Sequence, residues 1–280
     1  MKRFRNIIFC FVFSFPLTIG YAQKKGIIQI KGSDTMVNLV QAWAEKYMEK
    51  NPNSFIAVTG GGSGTGIAAL LNKTCSIASS SRKMKEKEVT LAKSKGIDPQ
   101  EFIVGYDGIA VVVNPKNPVD RLTLKQLKDI YTGKITNWSQ LGGENKSIVV
   151  LSREVNSGTH IYFKEHVLEN EEFSPQALLL PSSQAIADEI ALNPYAIGYY
   201  GMGYLSERQK AISISLDGKE YIPPTIENVM EAKYPISRPL FFYTPGQPKD
   251  EIKDFLDFVL SPEGQKIVLE QDFVPLKLNR

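Results

Sequence analysis

Small hydroxyl residues and glycines stand at the start of three predicted helices. The segments are Gly-Ser-Asp-Thr at residues 32–35, a glycine-rich run at residues 60–66 and Asn-Ser-Gly-Thr at residues 156–159. The first turn of a helix presents backbone N–H groups without intrahelical partners and the positive end of the helix dipole, and both favour anions. Arg153 stands beside the third segment, and a guanidinium can hold two oxygens of a tetrahedral anion. Together these features predict an enclosed site for a small oxyanion.

Each segment also has a purely structural interpretation. The glycine run contains neither a Walker A loop nor a Gly-x-Gly-x-x-Gly motif. It is either a flexible surface loop or a turn in which glycine lets a ligand approach backbone N–H groups. Ser157 is either a plain helix cap or a cap that also donates to the anion. The hydroxyls of residues 79–81 suit a polar turn or a set of donors, and Asp34 suits a helix start or a ligand.

Alternating strands and helices must position these segments. Strands are predicted at 27–30, 55–58, 76–79, 102–113 and 148–151, and the one at 102–113 is broken at 106–108. Each of the three segments follows a predicted strand and opens a helix. This alternation favours α/β architecture.

The first 22 residues have the pattern of a cleavable secretory signal peptide. Lys2, Arg3 and Arg5 precede an apolar run, and small residues at 20 and 22 suit cleavage after Ala22. The alternative is a membrane anchor, but the run is short and interrupted for a hydrocarbon core of about 30 Å. No cysteine stands at the cleavage point, so a lipid-modified N-terminus is not expected.

Removal of this segment changes the charge of the chain. Three of the 33 Lys and Arg residues lie in it and none of the 30 Asp and Glu, so the remaining chain carries 30 of each. A broad basic surface for nucleic acid is therefore not expected. Anion binding must come from local geometry.

The cysteine content limits the other site types. Cys10 lies in the signal segment and Cys75 is then alone, so no intrachain disulfide is expected. His160 and His166 are the only histidines, and a Cys/His zinc site is excluded. The remaining 258 or so residues fit two domains of ordinary size.

A serine hydrolase is the main enzymatic alternative. Gly-x-Ser-x-Gly does not occur in the sequence. His160 follows the third segment directly, but its position on the helix directs it away from the cap. A hydrolytic role is therefore disfavoured.

A set of motifs, in this order, resembles the phosphate-binding proteins of bacterial high-affinity phosphate ABC importers. The resemblance extends over roughly residues 26–275. The motifs that carry it are Gly32-Ser33-Asp34-Thr35-Met36, the glycine run, Ser80-Ser81-Arg82, Tyr106-Asp107-Gly108-Ile109-Ala110-Val111, Gly133-Lys134-Ile135-Thr136-Asn137-Trp138, Arg153 with Asn156-Ser157-Gly158-Thr159, and Tyr234-Pro235-Ile236-Ser237-Arg238-Pro239-Leu240.

The resemblance implies a two-lobed periplasmic-binding-protein fold of type II. Each lobe would be a mixed five-stranded sheet flanked by helices, with the ligand in the cleft between lobes. The first lobe would comprise residues 26–105 and 205–280 and the second residues 106–204, with crossing strands near 104–113 and 197–205. The family also implies a periplasmic monomer that needs no cofactor or metal and delivers phosphate to the permease subunits of an ABC transporter in the inner membrane.

The resemblance also implies a ligand set drawn from both lobes. Ser33 is a further, less certain donor, and Asp34 and Asp107 are candidate acceptors. The residues carried over are Thr35, Met36 through its N–H, Ser63, Ser81, Arg153, Ser157, Gly158 and Thr159.

Two positions depart from the pattern of some family members. Ser81 stands where those members have an aspartate, which accepts a phosphate proton and so rejects sulfate. Val155 stands where they have an acidic residue that orients the arginine, which leaves Glu154 as the near candidate. Sulfate binding, a phosphate-ester hydrolase and a surface protein that reuses the fold therefore remain alternatives to phosphate transport.

Overall fold

The computed structural model describes residues 27–277, so the predicted signal peptide at residues 1–22 lies outside the described residues. Strands and helices alternate along the first part of the chain, as predicted. The strands are β1 (Ile27–Gly32), β2 (Phe55–Thr59), β3 (Ile77–Ser80), β4 (Gln100–Val113), β5 (Arg121–Thr123), β6 (Val149–Arg153), β7 (Leu178–Leu180), β8 (Ala196–Gly201), β9 (Lys210–Ala211), β10 (Ser213–Ser215) and β11 (Ser237–Thr244).

The helices flank these strands. They are α1 (Val37–Lys50), α2 (Ser63–Leu71), α3 (Glu86–Ser94), α4 (Leu124–Tyr131), α5 (Gly158–His166), α6 (Ser183–Leu192), α7 (Ile226–Met230), α8 (Asp250–Leu260) and α9 (Pro262–Glu270), with short 3₁₀ turns at Trp138–Leu141 and Met202–Tyr204. Helix α1 illustrates why they form, because its buried residues recur at helical spacing. These are Leu39, Val40, Trp43, Ala44 and Tyr47.

One long curled sheet connects the two lobes. Its order is β2-β1-β3-β11-β4-β8-β6-β7, and β9 pairs with β4. When β4 is counted in both lobes, each lobe holds five strands with parallel and antiparallel pairs, as the fold prediction requires. Strands β10 and β5 form a separate parallel pair.

Strand β4 runs through both lobes without interruption. Its residues 100–108 pair with β11, whereas residues 109–113 pair with β8. The predicted break at residues 106–108 is therefore wrong, because β11 supplies a continuous antiparallel partner at these positions. The glycine at 108 leaves room for the Val229 side chain, which would lie 2.8 Å from an added Cβ.

Separate hydrophobic cores lie on the two sides of this crossing. Trp43, Leu240 and Phe255 belong to a core of the first lobe, and Ile109, Tyr131 and Phe163 to a core of the second. Each core is built from one side of the long sheet and the helices packed on it.

Residues 210–236 pack on the second core. Ile212, Ile214, Val229 and Tyr234 contact it, and β9 pairs with the second-lobe part of β4. The chain returns to the first lobe along β11, not along residues 197–205, since β8 pairs with β4 and β6 inside the second lobe. We therefore propose a boundary near residue 236 in place of the predicted one after residue 204.

Several short elements escape sequence analysis because they hold too few residues for a periodicity. Strands β5, β7 and β10 have three residues each, and α7 has five. Within residues 27–277, no helix combines the length and the apolar character that crossing a membrane requires.

Candidate functional site

The three polar helix starts meet where the two lobes contact each other. Thr35, before α1, and Thr159, in the first turn of α5, place their hydroxyl oxygens 2.8 Å apart. The N–H of Gly64 in α2 donates to the carbonyl of Asn156 at 3.0 Å. Both threonines are buried. The predicted convergence of first-lobe and second-lobe segments is therefore present.

Two serines of the first lobe lie against Gly158 of the second. The hydroxyl oxygens of Ser63 and Ser81 are 3.3 Å apart, and Ser63 accepts a hydrogen bond from the Ser81 N–H at 3.0 Å. A Cβ added to Gly158 would lie 2.3 Å from the Ser63 hydroxyl oxygen and 2.6 Å from that of Ser81. Only glycine permits this approach, so the α5 start reaches the first-lobe hydroxyls.

This close approach makes Gly158 a test of lobe contact. In Gly158→Ala, the methyl group should hold the lobes apart, and we expect the affinity for the oxyanion to fall by about tenfold. Gly246→Ala is the matched control, because nothing lies within 4 Å of its added Cβ. Calorimetric titration of both variants measures the effect. Equal affinities in the two variants would contradict the assigned contact.

Arg153 is held on one side of its guanidinium and left open on the other. Its Nη1 lies 2.9 Å from Asp34 Oδ2 and donates to the Ser183 hydroxyl at 2.9 Å, while Nη2 donates to the Pro181 carbonyl at 3.0 Å. Its Nε is buried and has no hydrogen-bond partner among the described residues. Nε and the second N–H of Nη2 therefore remain to bind a ligand in the manner predicted for Arg153.

Asp34 does not act as a helix cap, because α1 has no side-chain cap. Its Oδ2 accepts from both the N–H and the hydroxyl of Ser183, at 2.8 and 2.9 Å, and forms an ion pair with Arg153 Nη1. Tyr204 donates to the Asp34 carbonyl at 2.8 Å. The side chain of Asp34 thus crosses from the first lobe to the arginine of the second.

The expectation that Glu154 orients Arg153 is wrong. Val155, at the position in question, is 68% exposed, and Glu154 is exposed as well. Asp34 provides the carboxylate instead, from the other lobe. Burial lowers the pKa of the Arg153 guanidinium, and the charge of Asp34 opposes that effect.

Asp107 lies beside the site, but both of its carboxylate oxygens already accept hydrogen bonds from other residues. Its Oδ2 accepts from Arg238 Nε and Nη2 at 3.1 and 2.8 Å, and its Oδ1 accepts from the Met202 N–H at 3.0 Å. Burial raises the pKa of the Asp107 carboxyl, against the opposing effect of Arg238. With both oxygens bonded, Asp107 is a poor candidate for the acceptor of a ligand proton.

Sequence analysis missed the part that Arg238 plays in the site. Its Nη2 donates to the Thr159 hydroxyl at 2.9 Å and so connects β11 to the threonine pair. Ser183 was missed too, although Ser182-Ser183 opens α6 in the same way as the other polar helix starts. The pattern of small hydroxyl residues at a helix start, which identified three segments, therefore also holds for the start of α6.

The remaining predicted residues occupy the expected helix starts. Ser157 caps α5 by accepting from the N–H groups of Thr159 and His160 at 3.2 and 3.4 Å, which confirms the predicted cap. Met36 has a buried side chain, and its N–H donates to the Ser33 carbonyl at 3.2 Å. The Ser33 hydroxyl is buried without a hydrogen-bond partner in the described part of the chain.

The glycine run makes room for the opposite lobe. A Cβ on Gly62 would lie 2.9 Å from the Asn156 carbonyl oxygen, and one on Gly64 would lie 3.2 Å from it. The Asn156 amide donates to the Gly61 carbonyl at 2.9 Å. Asn156 and the run thus close the outer edge of the site.

His160 is directed to the interior of the second lobe. Its ring stacks on Phe173 at a centroid distance of 4.4 Å, and its Nδ1 lies 3.2 Å from the Ser152 hydroxyl. Burial lowers the pKa of His160 to about 4. Among residues 27–277, no group of three or more His, Cys, Asp or Glu is placed to hold a metal ion.

Comparisons with known proteins identify the family of the chain. A family model described as the PBP superfamily domain matches residues 20–263. The phosphate-binding protein PstS of Bacillus subtilis is 37% identical over 92% of this chain and 83% of its own length, and that of Pseudomonas aeruginosa (strain PAO1) is 32% identical over 90% and 83%.

Solved structures give the same result. A Clostridium perfringens crystal structure, described as a phosphate ABC transporter substrate-binding protein with bound phosphate, has a TM-score of 0.82 and 37% identity over 90% of this chain and all of that one. An ABC-type phosphate transport receptor from Vibrio cholerae has a TM-score of 0.72 and 32% identity over 89% of this chain and all of its own.

Proposed function

Because the chain belongs to the PBP superfamily and, within it, to the PstS family of phosphate-binding proteins, we propose that it captures inorganic phosphate between its lobes and delivers it to an ABC importer. The main observation in support is the open edge of Arg153. A buried arginine Nε without a partner, beside converging hydroxyls from both lobes, suits a desolvated tetrahedral anion.

The proposed ligand set is the one expected from the sequence, and Arg153 is its cationic member. Ser33 joins the set because its buried hydroxyl lacks another partner among residues 27–277. The other members are Thr35, Ser63, Ser81, Ser157, the N–H of Gly158, Thr159 and the N–H of Met36, which would share its proton between the Ser33 carbonyl and the ligand. Hydrogen bonds to a charged ligand contribute about 1.5–3 kcal/mol each.

Asp34 is the better of the two candidate acceptors for a phosphate proton. Its Oδ2 is taken by Ser183 and Arg153, but no hydrogen bond from the described residues reaches Oδ1. Asp107 has both oxygens bonded. A site with an acceptor can distinguish protonated phosphate from sulfate, and a site made of donors cannot.

Titration of the purified, ligand-stripped protein tests this function. We expect phosphate and arsenate to bind at micromolar or tighter affinity, about −8 kcal/mol or better, while sulfate fails to compete. Absence of phosphate binding would overturn the proposal. Strong competition by sulfate would support the alternative of a general tetrahedral oxyanion binder.

We also propose that the protein is not an enzyme. The low pKa of His160 and its stacking on Phe173 make this histidine a poor general base for Ser157. A phosphomonoester turnover assay tests this point, and hydrolysis that is lost in Ser157→Ala would contradict it.

Export and partners follow from the family and the N-terminal sequence. We propose cleavage after Ala22, a periplasmic location, a monomeric state and delivery to inner-membrane permease subunits. A surface protein that reuses the fold would instead bind phosphate without supporting uptake. Phosphate uptake by cells that lack or carry the protein distinguishes the two.

A further inference from the structure

We infer that Asp34 is a positioning residue that acts on phosphate through Arg153, and that this action requires both lobes to be together. The inference rests on the proposed capture of phosphate. Asp34 lies between β1 and α1 of the first lobe, whereas Arg153 ends β6 and Ser183 opens α6 in the second. Their contacts therefore cross the cleft.

The three residues form a closed set of hydrogen bonds around one carboxylate oxygen. Asp34 Oδ2 accepts from Ser183 twice and lies 2.9 Å from Arg153 Nη1, while Nη1 also donates to the Ser183 hydroxyl. Nη1 is thereby held by a hydrogen bond to Ser183 and an ion pair with Asp34. A planar guanidinium that is held at Nη1 has its Nε edge fixed in direction.

The charge of Asp34 gives this role a further reason. A carboxylate beside an anion site repels the anion. Asp34 therefore weakens phosphate binding unless another effect of the same carboxylate offsets the repulsion. Its side chain is 15% exposed and that of Arg153 is 1% exposed, so the pair is only weakly screened by water. The gain is an arginine whose open edge is held toward the ligand while the two lobes are together.

Separation of the lobes must break this set, because Asp34 moves with the first core and Arg153 with the second. Arg153 then loses its carboxylate partner and regains rotamer freedom. The oriented arginine thus belongs to the closed form. We expect Asp34 to affect chiefly the rate of phosphate release, since the pair forms after the ligand has arrived.

A double-mutant cycle separates this role from direct contact with phosphate. Asp34→Asn retains one oxygen acceptor for the Ser183 N–H, removes the negative charge and replaces the second carboxylate oxygen by an NH2 group. We expect it to weaken phosphate binding by about tenfold in the wild-type background. In Arg153→Ala, the same substitution should leave affinity unchanged or raise it, since the neutral amide can still hydrogen-bond to phosphate and, unlike the carboxylate, does not repel it.

Three results would overturn the inference. They are unchanged phosphate affinity in Asp34→Asn, equal losses in both backgrounds, and a loss that is larger after Arg153 is removed. Failure of the wild-type protein to bind phosphate would instead contradict the proposed function, so the two failures are distinguishable.

Two further variants complete the experiment. Ser183→Ala removes the hydroxyl that connects Asp34 with Arg153, and we expect it to weaken phosphate binding in the wild-type background. This variant tests the inference even if Asp34→Asn folds poorly, and unchanged affinity in it would contradict the inference. Asp188→Asn is the matched control, because Asp188 pairs with Arg208 on the surface of the second lobe at 3.0 Å. We expect no change in phosphate affinity for this control, and a tenfold loss in it would also contradict the assignment.

Discussion

Replacement of Arg153 by alanine is expected to weaken phosphate binding by about a hundredfold or more while the protein stays folded. The reason is the loss of two charge-assisted hydrogen bonds, from Nε and Nη2, at about 1.5–3 kcal/mol each. The variant also leaves the carboxylate of Asp34 in the site without its cation. Calorimetric titration with phosphate measures the loss.

Two comparisons sharpen this prediction. Arg153→Lys keeps the charge but lacks the planar fork, so its affinity should lie between those of the wild type and the alanine variant. Arg208→Ala removes an exposed arginine from the same lobe and should leave phosphate affinity unchanged. If Arg153→Ala binds phosphate with the affinity of the wild type, Arg153 is not a phosphate ligand.

Replacement of Arg238 by alanine is expected to cost about 3–5 kcal/mol of the free energy of unfolding, because it strands a buried carboxylate. Asp107 and Arg238 are 0% and 1% exposed at their side chains and pair at 2.8 Å. The variant also loses the hydrogen bond from Arg238 Nη2 to the Thr159 hydroxyl, so phosphate affinity should fall as well. Urea denaturation near neutral pH measures the stability loss.

The pH dependence of this variant identifies the carboxylate as the cause. Burial already raises the folded-state pKa of Asp107, and removal of Arg238 raises it further. A raised folded-state pKa means that the folded protein favours the protonated carboxyl, so stability is retained in acid and lost as the pH rises. Arg238→Ala should therefore lose stability relative to the wild type as the pH rises above the ordinary aspartate pKa of about 4. Addition of Asp107→Asn should remove this dependence, and a double variant that keeps it would contradict the account.

The helix starts and Arg153 could be predicted because their chemistry is local. A hydroxyl or glycine at the first turn of a helix has the same meaning wherever the chain folds, as the Ser157 cap illustrates. The fold class followed in the same way from alternation of strands and helices, together with the order of the motifs.

The partners of these residues could not be predicted because they come from distant parts of the chain. Thr35 and Thr159 are 124 residues apart in sequence, and Asp107 and Arg238 are 131 apart. No periodicity connects Asp34 with Arg153, so a search beside the arginine led to Glu154. The contacts of the glycine run could not be predicted for the same reason, since the atoms nearest to Gly62 and Gly64 belong to Asn156 of the opposite lobe.

The contact of Asn156 with the glycine run has a kinetic consequence. The hydrogen bonds that its side-chain amide donates to Gly61 and Thr65 are exposed to solvent, whereas the paired hydroxyls of Thr35 and Thr159 are buried. Water can replace the exposed hydrogen bonds of Asn156 one at a time. It can reach the hydroxyls of Thr35 and Thr159 only when the lobes separate. Substitutions at Asn156 should thus tune how long a bound anion is retained without altering which anion is chosen. The response time of a fluorescent phosphate sensor built on this protein could therefore be adjusted by substitutions at Asn156 alone.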